Sequence, residues 1–226
     1  MKIEDLKIRL ITSILLISIL FLSFNYSYIL IISLIIISLI SWLEFRNLIL
    51  KIFKNKSFKS SLLKLLIQTT SLLYLTMFSS LVFSGILQSN FKIIILFLLC
   101  ICILSDIGGL LFGKFFKGKK LTKISPNKTI SGSIGSFVLS LFLVPIFYFL
   151  FEDEFSDIGN LIILTILVSF FCQLGDLFIS FLKRKAKVKD TGNLLPGHGG
   201  ILDRIDGILF AVPIGILIYD FLILAV

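Results

Sequence analysis

The residue types that could do chemistry gather between Ser180 and Asp206. The stretch holds three carboxylates (Asp190, Asp203, Asp206), four glycines (Gly192, Gly197, Gly199, Gly200) and the only histidine, His198. Lys183, Arg184, Lys189 and Arg204 supply anion contacts. Asp203 and Asp206 supply oxygen ligands for a hard cation such as Mg²⁺, which is usually held by one or two carboxylates together with phosphates. The glycines let the backbone come close to a ligand and permit positive φ. Acids, cations and glycines together suit a nucleotide–metal complex. A pair of carboxylates also suits glycoside hydrolysis, but so many cations argue for an anionic substrate. His198 is either a phosphate or base contact or an ordinary loop residue.

Three smaller constellations accompany it. Gln173, Asp176, Ser180 and Lys183 are spaced three, four and three apart and so share one helix face. At 1.5 Å per residue Asp176 lies about 10 Å below the end of that helix. An acid at that depth in a membrane needs a cation or water, unless a neighbouring helix pairs with it for packing. Asp106 repeats the pattern beside Ser105, on a face with Cys102, Gly109 and Gly113 that also suits close helix contact. Lys128 lies in the polar loop Thr122–Ser133, just before a helix start, where hydroxyls and N–H groups suit either a phosphate or a plain helix cap.

The elements that must position these groups are apolar. Of 226 residues, 57% are hydrophobic and 15% charged, with a mean hydropathy of +1.08. Soluble domains carry about 25% charged residues, so the long apolar runs read as bilayer spans. The net charge of +9 then belongs to cytoplasmic-side loops and not to nucleic acid binding. Cys100, Cys102 and Cys172 sit inside apolar runs and read as small hydrophobes. The fold class expected is all-α: a polytopic integral membrane protein with about seven transmembrane helices and a cytoplasmic-side active site. The runs are 10–24, 28–43, 62–86, 91–112, 132–151, 160–182 and 207 to the end. No small-residue cleavage site follows the first run, which favours a helical hairpin over a signal peptide. Residues 1–90 form an N-terminal region with a basic, surface-lying segment 44–64. Residues 91–226 form a catalytic region with cytoplasmic loops 113–131 and 183–206.

At this point the residues resemble a family. Ser180-x-Leu182-Lys183-Arg184, Lys189-Asp190-x-Gly192 and Leu195-Pro196-x-His198-Gly199-Gly200-Ile201-x-Asp203-Arg204-Ile205-Asp206 closely resemble the signature of phosphatidate cytidylyltransferases (CDP-diacylglycerol synthases). Asp106-Ile-Gly-Gly, Ser125-Pro126-Asn127-Lys128-Thr129 and Gln173-Leu-Gly-Asp176 resemble further family motifs in the same order, and Trp42-Leu-Glu44 does so more loosely. One departure is plain: the family usually continues Lys-Thr-Trp-Glu-Gly where this chain has Lys128-Thr129-Ile130-Ser131-Gly132.

The resemblance implies the reaction CTP + phosphatidate → CDP-diacylglycerol + pyrophosphate in a bacterial inner membrane. It implies Mg²⁺ held by Asp176 and Asp203, with a monovalent second cation such as K⁺. It gives catalytic weight to Lys183 and Arg204 beside those two acids. Substrate contacts fall on Ser125, Lys128, Thr129, Ser180, Arg184 and Lys189. Asp190, His198, Gly199, Gly200, Asp206 and Asp106 complete that set. A homodimer is also implied, with CTP, phosphatidate and the bilayer as the other partners. Two rivals stay open. One is a CTP-dependent polyprenol or phytol kinase, and the other, from a different class, is a cation transporter built on Asp106 and Asp176.

With the N-terminus inside, every Lys and Arg except Lys92 falls on one side of the seven runs. Cysteine introduced at Glu154 is therefore expected to react with an impermeant reagent from the outside, and cysteine at Ala186 only from the cytoplasm. The opposite labelling would overturn the topology.

Overall fold

A computed structural model describes residues 3–54, 57–122, 124–126, 128–152, 154–155, 157–197 and 199–224. His198, Asn127, Lys56 and Asp153 lie outside the described residues. The chain forms eight α-helices among the described residues: α1 (Ile3–Asn25), α2 (Ser27–Ile52), α3 (Phe58–Leu87), α4 (Ser89–Phe116), α5 (Ile130–Leu141), α6 (Leu143–Leu150), α7 (Ile158–Lys185) and α8 (Leu202–Tyr219). A π-helical turn, Asp220–Leu224, follows α8.

Among the described residues six helical segments are long and apolar enough to cross a membrane, where about seven were expected. The difference lies in α1, whose apolar part is Ile11–Asn25. At 1.5 Å per residue that is about 22 Å, short of the roughly 30 Å hydrocarbon core. Large apolar side chains face outward along the helices, such as Leu73 at 69% and Phe149 at 70% exposure. Water would penalise such surfaces; lipid tails do not.

Two further boundaries differ from expectation. The segment from Glu44 to Ile52 forms the last turns of α2 in place of a separate element, and α3 begins at Phe58. The helix continues through Glu44 because that carboxylate finds buried partners. The fifth run is two helices, α5 and α6, broken at Phe142. Pro145 explains the break, since its ring has no N–H and clashes with the carbonyl four residues back, on Leu141.

The chain divides into two compact units, Met1–Leu87 with Leu182–Ile205, and Gln88–Phe181 with Asp206–Val226. The first unit pairs α1 with α2 and α2 with α3. Ser38 and Ser79 share a hydrogen bond of 2.6 Å, and the Trp42 indole donates to the Gln68 carbonyl at 3.1 Å. The glycine-rich loop groups with these N-terminal helices. Ala186 is only 8% exposed, so its exposed neighbour Lys185 is the better labelling position on that segment.

The second unit is built on α4 against α5. A Cβ on Gly108 would lie 2.4 Å from the Gly135 carbonyl oxygen, and one on Gly132 would lie 2.6 Å from that of Gly109. Ser136 adds a hydrogen bond from its hydroxyl to the Ser105 carbonyl at 2.7 Å. Backbones meet directly, as small residues allow. Gly109 and Gly113 of the small-residue face are therefore covered by α5.

Gly135→Ala places a methyl 2.3 Å from Phe112 Cβ, inside any permitted contact. Overpacking of this kind costs about 1–3 kcal/mol. Gly159→Ala is the control, because a Cβ there meets nothing nearer than 3.3 Å. Thermal unfolding in detergent is expected to show a clear drop in Tm for Gly135→Ala and none for Gly159→Ala. Equal Tm values would mean the helices do not touch this closely.

Candidate active site

In the unit that holds the glycine-rich loop, Asp203 is the hub. It stands in the first turn of α8, where a negative charge complements the helix dipole. Its Oδ2 accepts from the Thr191 N–H at 2.8 Å, the Thr191 hydroxyl at 2.9 Å and the Gly200 N–H at 3.1 Å. Its Oδ1 takes an ion pair with Lys183 Nζ at 2.6 Å, with both side chains largely buried. Lys183 and Asp203 are thus brought together. Gly197 and Gly199 adopt positive φ of 77° and 82°. The residues Leu195 and Gly199 exchange two backbone hydrogen bonds, 2.9 and 3.1 Å, which closes a tight loop between them.

Gly192 and Gly200 have a different use from the one expected. A Cβ on either would fall 2.4 or 2.3 Å from a carboxylate oxygen of Glu44 or, at Gly200, also 2.2 Å from the Thr191 hydroxyl. Their missing side chains make room for the Glu44 carboxylate. Glu44 itself accepts from the Thr191 hydroxyl at 2.8 Å, Ile201 N–H at 3.1 Å and Leu202 N–H at 2.9 Å. Sequence reasoning gave it no role. Its one signal was its place in Trp42-Leu-Glu44. Arg184, Lys189, Asp190 and Arg204 belong to the same unit. All four are exposed.

In the other unit, Asp176 is the centre. Its Oδ2 forms an ion pair with Lys128 Nζ, and each side chain stays about a quarter exposed (29% and 26%). Its Oδ1 receives the Ser180 hydroxyl at 3.4 Å, a long contact. Lys128 is presented by a small loop. The Leu121 N–H donates to the Lys128 carbonyl at 2.8 Å, and the Lys128 N–H to the Ser125 carbonyl at 3.1 Å. Thr129 caps α5, its hydroxyl accepting from the Gly132 N–H at 3.1 Å. The cap and the cation therefore coexist; the loop is not only one or the other. Ser133 donates to Gln173 Oε1 at 2.5 Å and ties the start of α5 to α7. That pair was not foreseen as a link.

Asp106 and Asp206 lie near the same thiol. Cys172 Sγ is 4.0 Å from Asp106 Oδ1, and a Cβ on Gly207, the residue after Asp206, would lie 2.5 Å from that sulfur. Asp206 is 8% exposed, with one oxygen accepting from the Gly207 N–H at 2.9 Å. Cys102 and Cys172 are buried free thiols, in keeping with their reading as small hydrophobes. No group of three or more metal-ligating side chains occurs among the described residues.

Comparison with known proteins adds to this geometry. The cytidylyltransferase family pattern matches residues 1–222. Phosphatidate cytidylyltransferases from Staphylococcus haemolyticus (strain JCSC1435) and Staphylococcus aureus (strain COL) are each 47% identical over 121 residues, and that from Staphylococcus saprophyticus is 46% identical. Each alignment covers 53% of this chain and 46% of the relative. The chain thus spans about half the length of these curated relatives. With the family pattern matched almost from end to end, over a chain whose described residues form six helical segments long and apolar enough to cross a membrane, the protein belongs to the cytidylyltransferase family.

Proposed function

We propose that this chain is a nucleotidyltransferase acting on CTP and phosphatidate, releasing pyrophosphate and CDP-diacylglycerol. The observation that carries the reading is the pairing of Lys128 with Asp176. It joins a cation from one family motif, just before α5, to an acid from another, within α7, on helices that suit a lipid environment. Identity to relatives named phosphatidate cytidylyltransferase supports the same substrates.

The chemistry asks little of a base. The second pKa of a phosphate monoester is about 6, so the attacking oxygen is already largely deprotonated at neutral pH. Two polyanions must instead be brought together, which needs positive charge and in-line positioning. Lys128, with Arg184, Lys189 and Arg204, supplies that charge in this reading. Thr129, Ser125 and Ser180 supply hydroxyl contacts, and Gly199, Gly200, Asp190, Asp206 and His198 shape the nucleotide side.

Mg²⁺ belongs to the reading as well, where it would neutralise phosphate charge and polarise the phosphorus under attack. The residues differ in how well they fit it. Asp176 Oδ1 has only the long Ser180 contact among the described residues, so it keeps capacity for a hard cation. Asp203 Oδ2 is met by three contacts and Oδ1 by Lys183 alone, so a metal would approach at Oδ1, beside that ammonium or in its place. A monovalent second cation such as K⁺ rests on the resemblance alone. The cytoplasmic orientation rests on the distribution of Lys and Arg. A homodimer is part of the reading, but not through Gly109 and Gly113, which α5 already covers.

The test is the product formed by purified protein in vesicles containing phosphatidate, with labelled CTP and Mg²⁺. Pyrophosphate and a liponucleotide are expected. CDP with a phosphorylated lipid would turn the reading to a lipid kinase, and no CTP turnover at all would sink both. Asp176→Asn is expected to lower turnover at least 100-fold, and to remove any Mg²⁺-dependent rise in Tm that the unaltered protein shows. Near-normal turnover with the same Mg²⁺ dependence would make Asp106 the acid to test next.

A further inference from the structure

We infer that Glu44, on α2, is a positioning residue for the loop that carries Asp203. Glu44 is 6% exposed, and a carboxylate so buried must be satisfied by hydrogen bonds. Its partners are the Thr191 hydroxyl and the N–H groups of Ile201 and Leu202, all drawn from one loop and the start of α8. The first N–H groups of a helix have no intrahelical acceptor. Here an acid from a distant helix takes that place and caps α8, with its negative charge at the positive end of the helix dipole.

The contact leads directly to the site. The Thr191 hydroxyl lies 2.8 Å from Glu44 Oε2 and 2.9 Å from Asp203 Oδ2. It has a single proton to donate, so the two acids share it. Lys183 offsets the charge on the Asp203 side. Gly192 and Gly200 complete the arrangement, because a Cβ on either would strike the Glu44 carboxylate. Glu44 therefore fixes where Asp203 and the adjoining Arg204 stand. It does so through the loop backbone, without itself touching a substrate.

The catalytic consequence rests on the proposed cytidylyl transfer; the structural content does not. The experiment is hydrogen exchange on the full chain in lipid nanodiscs, read beside CTP turnover. Glu44→Gln keeps the shape but turns an amide N–H toward backbone donors. It is expected to raise exchange at Ile201–Asp203 at least tenfold, with α3 and α5 unchanged, and to lower kcat at least tenfold. Thr191→Val removes only the hydroxyl link and is expected to show a smaller effect of the same kind, which Thr191→Ser restores. If Glu44→Gln leaves exchange at Ile201–Asp203 unaltered, or loosens every helix equally, the inference is wrong. If Thr191→Val misfolds or Thr191→Ser fails to restore the loop, the link through the hydroxyl is wrong. Should the unaltered protein fail to transfer cytidylyl while Glu44→Gln still frees these amides, the function falls and the positioning role stands.

Discussion

A carboxylate that leaves water must be met by donors, and that requirement shapes the functional half of this chain. Glu44 and Asp203 are met almost entirely by backbone and hydroxyl groups of one loop, with Lys183 as the single cation. The loop has no helix or strand of its own to fix it beyond the short closure between Leu195 and Gly199. Its shape is therefore dictated by two acids that it must satisfy. The glycines follow from this: two turn the chain at positive φ, and two keep clear of the Glu44 carboxylate.

The other acid, Asp176, obeys the same rule by a different route. It is paired with a lysine delivered by a capped loop, and both partners remain partly open to solvent. A partly exposed pair contributes little to stability, since solvent screens it. It is therefore parted at less cost than a buried pair. The buried Lys183–Asp203 pair is the opposite case, since removing either partner would strand a charge. The two ion pairs thus suit exchange in one place and permanence in the other.

How much of this was legible in the sequence depended on the range of the signal. Helices were legible because hydropathy is a local sum, and the runs around α3, α4 and α7 were placed within four residues at each end, whereas α8 starts at Leu202, five residues before the expected Gly207, and so carries Asp203 and Asp206. The break at Phe142 needed attention to one residue, Pro145, inside an otherwise apolar run. The polar loop stood out by contrast with its surroundings, and Asp176 by its place on a helical stripe. Glu44 did not stand out. It sits between Leu43 and Phe45, and nothing near it in sequence hints at partners 147 to 158 residues away. The contact of Gly192 and Gly200 with Glu44 was hidden for the same reason, because the carboxylate they clear lies far away in sequence.

The reach of the Glu44 contacts has a consequence for biosynthesis. Glu44 leaves the ribosome 147 residues before Thr191 does. At roughly 5–20 residues per second, this is an interval of about 7 to 30 s. Throughout it α2 and α3 can insert and pack, while the acid has none of its final donors. Until then only water can satisfy it. The N-terminal helices therefore complete their unit only when the chain is nearly finished, whereas α4 and α5 join as soon as the loop between them has been made.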